Sequence, residues 1–293
     1  MKPKVIFITG PTGAGKSELA VQLALKINGE VINADSRQVY RGLDVGAAKI
    51  SRAEMQGVPH HLLSVASSKR DFSLARWLVL ADRAVKVITR RGRVPIFCGG
   101  TLLYLRALSE GWVLPSVKPN AKLRRELEHY SLSELQRRLQ HLDSERAKTV
   151  ELQNRRRLIR AIEIATVLGK VPSLRREPCY EVLIVAPRIA MTTLERRLAQ
   201  RVQRRVPRIV AEIRRLRSTG LSCRRIVNFG LEYDWFGRVV CNGLSRQEAV
   251  AGCIQESIRF AKKQRSSLER LSGVHWIRNR SEAMDYTQRF LAL

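Results

Sequence analysis

The period of the apolar positions changes several times along the chain, and each change predicts an element. "KVIFIT" (4–9) is a short β-branched and aromatic run, the pattern of a strand buried on both faces in a parallel sheet. "SELAVQLALKI", beginning beside Lys16, spaces its apolar residues as a helix does. Val31 and Ile32 form another short strand that ends in Asn33-Ala34-Asp35-Ser36, and Val94 to Phe97 read as a third, entering Gly99-Gly100-Thr101. Between them lies an amphipathic helix with Leu74, Trp77, Leu78, Ala81, Val85 and Ile88 on one side. From about 115 to 178 the chain turns helical and charged, with no strand-like run. Leu194, Leu198, Val202, Val206, Ile209, Ile213 and Leu216 then recur at steps of three or four, a single stripe that Pro207 should bend or split. Short strands alternating with helices predict an α/β fold with an open parallel sheet.

The first strand runs into Gly10-Pro11-Thr12-Gly13-Ala14-Gly15-Lys16-Ser17, a full match to the phosphate-loop pattern in its required strand–loop–helix setting. Backbone N–H groups would converge on phosphate oxygens at the helix's positive end, Lys16 would neutralise the terminal phosphate and Ser17 would bind Mg²⁺. A P-loop NTPase-like core follows. Asp35 closes a strand expected beside that of the loop, so its carboxylate points into the ligand crevice, where it is the candidate for chemistry. Its plainer role is to cap the next turn or to hold a metal-bound water. Thr101, after the two glycines, could reach a ligand from the same rim. His60 and His61 have no third ligand at metal spacing and read as hydrogen-bonded structural residues.

Charge narrows the partner. Across 293 residues, 54 Lys and Arg face 26 Asp and Glu, a formal net charge of +28 that suits a polyanion. The excess peaks between 188 and 225, with twelve basic and two acidic residues. There Arg197, Arg201, Arg204, Arg205, Arg208, Arg215 and Arg217 fall off the apolar stripe, as a nucleic-acid-facing or merely solvated face. Five cysteines without a C-x-x-C pair read as reduced thiols of a cytoplasmic protein. No run approaches a membrane span.

"GPTGAGKS", "NADSRQVYRGLDVGAAK", "GVPHHL" and "PIFCGGTLLYLRAL" resemble the serial motifs of tRNA dimethylallyltransferases, which modify the adenosine 3′ of the anticodon; "NRRRLIRAIEI", "YEVLIVAP", "LERRL", "FGLEY" and "AKKQ" follow in the family's order. The resemblance covers nearly the whole chain. It implies that the loop holds the diphosphate of dimethylallyl diphosphate, and that the prenyl group passes to N6 of adenine with release of diphosphate. It implies Asp35 as general base, with Lys16, Thr101 and Arg197 beside the reacting groups, and Asp35, Ser36, Arg37, Gln38 and Thr101 against the flipped adenosine. The segment 115–178 becomes an inserted all-helical domain that clamps the anticodon stem-loop, through Arg124 and the stretch Arg156, Arg157, Leu158, Ile159 and Arg160, between core portions 1–114 and 179–293. A monomer is expected. Departures from the family pattern are Ala47 in place of threonine, "RSSLER" where an aromatic pair is usual, and "RVPRIVAEIRRL" in place of a glycine turn. Three other readings share parts of the pattern: a small-molecule kinase, a prenyltransferase acting on free adenine nucleotides, and a non-catalytic RNA-binding P-loop protein. The kinase needs no such charge, the free-nucleotide enzyme no helical insertion, and the binding module no intact Lys16, Ser17, Asp35 and Thr101.

Overall fold

The structure, a computed structural model, describes residues 2–292. Its chain forms two compact units: one ends its first part at Gly111 and resumes at Pro178, and the other is Trp112–Glu177.

In the first unit, strand β1 (Lys4–Ile8) leads through the phosphate loop into helix α1 (Lys16–Lys26) and on to β2 (Gly29–Asn33). A one-turn helix α2 (Arg52–Met55), the two-residue strand β3 (His60–His61), helix α3 (Leu74–Arg90), strand β4 (Val94–Cys98) and helix α4 (Leu102–Ser109) follow. The six-stranded sheet is parallel throughout, in the order β3-β2-β4-β1-β7-β8, its last two strands being Glu181–Pro187 and Val274–Ile277. Alternation of side chains gives it two cores: Val5 and Phe7 join Trp77, Phe97 and Leu105 on one face, while Ile6 and Ile8 meet Leu19, Leu23 and Ala283 on the other. Strands buried on both faces explain the unbroken apolar runs. One expectation changes: β4 lies between β1 and β2, so Asp35 is two strands from the phosphate loop's strand rather than beside it.

The second unit opens with β5 (Trp112–Val113), whose antiparallel partner β6 (Arg175–Arg176) closes it. Between them stand helices α5 (Ala121–Leu127), α6 (Leu132–Leu142), α7 (Ser144–Thr149) and α8 (Arg155–Leu168), packed on Leu127, Leu135, Leu139, Leu158, Ile159 and Ile162.

After β7 comes α9 (Met191–Ser218), then α10 (Cys223–Val227), α11 (Glu232–Asn242), α12 (Arg246–Glu269) and, after β8, α13 (Arg280–Ala292). Pro207 does not split α9, which runs unbroken for 28 residues. The proline and Gln203, whose carbonyl it leaves without an intrahelical donor, are both exposed, while Val202, Ile209 and Ile213 pack into the core on either side. The reading of five reduced thiols also fails. Cys223 and Cys241 are disulfide-bonded across α10 and α11, with Cα atoms 6.0 Å apart and no local spacing to betray the pair, while Cys98, Cys179 and Cys253 are free. Among the described residues no helix is long and apolar enough to cross a membrane.

Candidate active site

The carboxyl ends of β1, β2 and β4 open into a cavity of about 990 Å³ that α9, α11 and α12 also line. Its floor is the phosphate loop. Gly13 and Gly15 both take φ +83°, where a side chain would strain the backbone, and a Cβ on Gly13 would press on Leu194 and Leu198 of α9 at 3.1 and 3.2 Å. The half-buried Lys16 ammonium donates to the Pro11 carbonyl at 2.8 Å. Burial lowers its pKa, with Cys98 and Asp35 opposing and Arg201 adding to the fall, so an incoming anion would find a poorly solvated cation. Ser17 is exposed at the loop's end beside Cys98, whose thiol burial pushes up to about 11 and so keeps protonated and inert.

Opposite the loop, Asp35 follows β2 in a tight turn. Its Oδ1 accepts from the backbone N–H of Arg37 (2.8 Å) and of Gln38 (3.3 Å). Oδ2 has no protein partner among the described residues, and Asp35 lines the cavity. The turn-capping role and a chemical one are therefore divided between two oxygens of one carboxylate. The turn is anchored from below, since the buried Trp77 indole donates to the Asn33 carbonyl at 3.0 Å and stacks on Tyr104 at 4.2 Å. Thr101 approaches from β4, its hydroxyl accepting from the Ser36 N–H at 3.0 Å. Ser36 is exposed on the same rim, and Gln38 donates to the carbonyls of Ala47 and Ala48 at 3.2 and 3.3 Å. That loop is held by the buried Glu212, which accepts from the N–H groups of Asp44, Val45 and Gly46 and from the Tyr233 hydroxyl.

The third wall is cationic. Arg201 donates to Thr12 Oγ1 at 3.0 Å and to Glu232 at 3.2 Å, and Glu232 also pairs with Arg37 at 3.4 Å. Leu231, at φ +45°, carries backbone strain immediately before Glu232. Arg205, Lys263 and Arg270 line the same cavity. Burial, then the nearby Arg201, lowers the pKa of Arg205, which remains charged and has no protein hydrogen bond among the described residues.

Three of the expected residues lie elsewhere. Arg197 is exposed and outside the cavity lining. Leu194 and Leu198 fill the gap against Gly13 at its level, and only one turn later does Arg201 clear them to reach Thr12. Leu158 and Ile159 do not lie on the exposed face with Arg156 and Arg157; both are buried in the core of the helical unit. Arg124 and Arg160 are bonded to the buried Glu163, whereas Arg157 pairs with Glu151 at the surface and Arg156 is exposed with no protein partner among the described residues. His60 and His61 are engaged with Val58 and Glu30, and no cluster of three metal-ligating side chains occurs among the described residues. Glu232 and Gln264 were not singled out from the sequence, and Arg201 was expected only as one of a basic face. They stand in or beside "LERRL", "FGLEY" and "AKKQ"; a glutamate between Leu231 and Tyr233 was an available signal, whereas Gln264, between Lys263 and Arg265, offered none.

Comparison with known proteins agrees with this architecture. A family profile described as IPP transferase matches residues 38–270, and one described as isopentenyl transferase matches 3–70. A tRNA dimethylallyltransferase of Thermomicrobium roseum is 39% identical over 93% of this chain and 85% of its own, and one of Anoxybacillus flavithermus is 35% identical over 94% and 90%. Among solved structures, the full-length tRNA isopentenylpyrophosphate transferase of Bacillus halodurans superimposes with a TM-score of 0.73 at 31% identity, covering 99% of this chain and 96% of that one. A eukaryotic dimethylallyltransferase acting on tRNA gives 0.79 at 26% identity, covering 99% and 78%.

Proposed function

The chain belongs to the IPP transferase family, and from that membership we propose how its cavity carries prenyl transfer to tRNA. It is a prenyl-transferring enzyme. The donor is dimethylallyl diphosphate, its diphosphate on the backbone N–H groups of Gly13 to Ser17 and the Lys16 ammonium. The acceptor is N6 of the adenosine adjacent to the anticodon, turned out of its stack into the cavity rim formed by Asp35, Ser36, Arg37 and Thr101. The C–N bond forms as the allylic C–O bond breaks, its electron pair leaves with diphosphate, and the N6 proton passes to Asp35 Oδ2. Negative charge gathering on the departing diphosphate is the main electrostatic demand, which Lys16, Arg201 and Arg205 meet.

Ser17, exposed where phosphate oxygens would lie, fits a Mg²⁺ ion held mostly by diphosphate and water, a mode that needs no protein cage; bound there, the ion would neutralise leaving-group charge.

The observation that carries the reading is that one cavity joins an intact phosphate loop to a carboxylate oxygen without a protein partner among the described residues. Incubation with Mg²⁺, unmodified tRNA and dimethylallyl diphosphate, then nuclease digestion and mass analysis, should give an adenosine heavier by one dimethylallyl group. Asp35→Ala should cut that rate at least about a hundredfold, the scale of general-base losses, with tRNA affinity preserved. Equal rates would remove Asp35 from the mechanism, and sustained RNA-stimulated ATP hydrolysis would refute the donor.

A further inference from the structure

The phosphate loop and the Asp35–Thr101 rim belong to different strand ends, and transfer requires the allylic carbon on one to meet the amine on the other. A single side chain bridges them. Gln264, buried on α12, accepts from the Thr12 N–H through Oε1 at 2.9 Å and donates through Nε2 to the Gly100 carbonyl, also at 2.9 Å. Gly100 immediately precedes Thr101, which holds the Ser36 N–H beside Asp35. The contact is built closely, since a Cβ on Gly100 would lie 2.6 Å from Nε2. A primary amide of this length accepts at one end and donates at the other whatever the pH.

We infer that Gln264 is a positioning residue that sets the spacing between the diphosphate floor and the acceptor rim; this rests on the prenyl-transfer reading above. Two consequences follow. The Thr12 N–H is committed to Gln264, so the loop grips diphosphate with the amides that come after it. Arg201 grips Thr12 from the other side through its hydroxyl, so the loop's entrance is fixed between α9 and α12.

The test uses the full-length protein and two variants. Gln264→Met keeps length and loses both bonds. It should lower kcat by about tenfold or more, as misplacement of reacting groups does, while the inhibition constant of inorganic diphosphate stays within about threefold. Gln264→Glu keeps the acceptor but, when ionised, cannot donate to Gly100. Its kcat relative to wild type should be low at pH 8 and recover as the pH falls towards 5.5, where a protonated carboxyl donates again. A kcat unchanged in Gln264→Met, or a diphosphate affinity falling as far as kcat, overturns the inference, as does a Gln264→Glu deficit that ignores pH. Should Gln264→Glu not fold, the Gln264→Met comparison decides alone. Wild-type prenylation in the same assay tests the underlying reading separately, because its absence would refute that reading whatever the variants did.

Discussion

Two buried glutamates, one in each compact unit, do opposite things with the same kind of partner, a pair of arginines. Glu232 lies at the cavity and holds Arg37 and Arg201, the second of which continues to the phosphate loop at Thr12. Glu163, 1% exposed, holds Arg124 through both ends of the guanidinium fork, Arg160 at 3.2 Å and the Asn120 N–H, and Arg160 continues to the Val117 carbonyl. One cluster places cations where an anion must bind. The other spends its arginines on bracing α5 against α8. An arginine-rich segment is thus not in itself a binding surface, and the buried carboxylate beneath it tells which guanidiniums are offered and which are consumed.

The comparison breaks most severely at Glu163. Glu163→Ala should cost about 2–3 kcal/mol in denaturant unfolding, less than the loss of a wholly buried pair because Arg124 and Arg160 are each about a third exposed and can rehydrate. Burial pushes the Glu163 carboxyl up, but bonds from Arg124, Asn120 and Arg160 outweigh it and hold its pKa below the ordinary value of 4.5. Such a group contributes stability that is fully present above its ordinary pKa and lost as the pH falls through the lowered one. Acid unfolding below about pH 4.5 should therefore be less steep in Glu163→Gln than in wild type; identical slopes would show that the cluster contributes nothing.

Glu232→Gln should act on rate instead. The amide keeps the shape but frees Arg37 and Arg201 of their counter-charge, so inorganic diphosphate should bind at least as tightly while kcat falls about tenfold, or about 1.4 kcal/mol. A parallel loss of thermal stability and diphosphate affinity would make Glu232 another structural brace.

What the sequence revealed follows how local each feature is. The phosphate loop is readable because its glycines, Lys16 and Ser17 are consecutive and serve one local geometry. Asp35 and Thr101 are readable because side chains just past parallel strands point into the crevice, although strand order, set by long-range packing, placed β4 between the two strands expected to be neighbours. Arg201 was hidden in a run of arginines because one turn of register along α9 depends on how Leu194 and Leu198 seat against Gly13. The Cys223–Cys241 pair and the Glu163 cluster depend on contacts between separate helices, which carry no spacing signature. Leu158 and Ile159 show the reverse error. A motif assigned whole to RNA binding contains its own core positions, and the helical period separates them from their charged neighbours.

The smallest effect separates two arginines four positions apart on α8. Arg156 is exposed without a protein partner among the described residues, so its truncation should weaken tRNA binding a few-fold and reduce the slope of log affinity against log salt by about 0.7–0.9, the share of one phosphate contact. Arg160, held by Glu163 and Val117, should behave differently: Arg160→Ala should lower the unfolding midpoint and leave the salt slope unchanged. Titrations of both variants across a salt series, beside their unfolding curves, decide the matter. If Arg160→Ala changed the slope as much as Arg156→Ala, the guanidinium would have to exchange Glu163 for a phosphate on binding, and the bracing cluster would itself be part of the RNA surface.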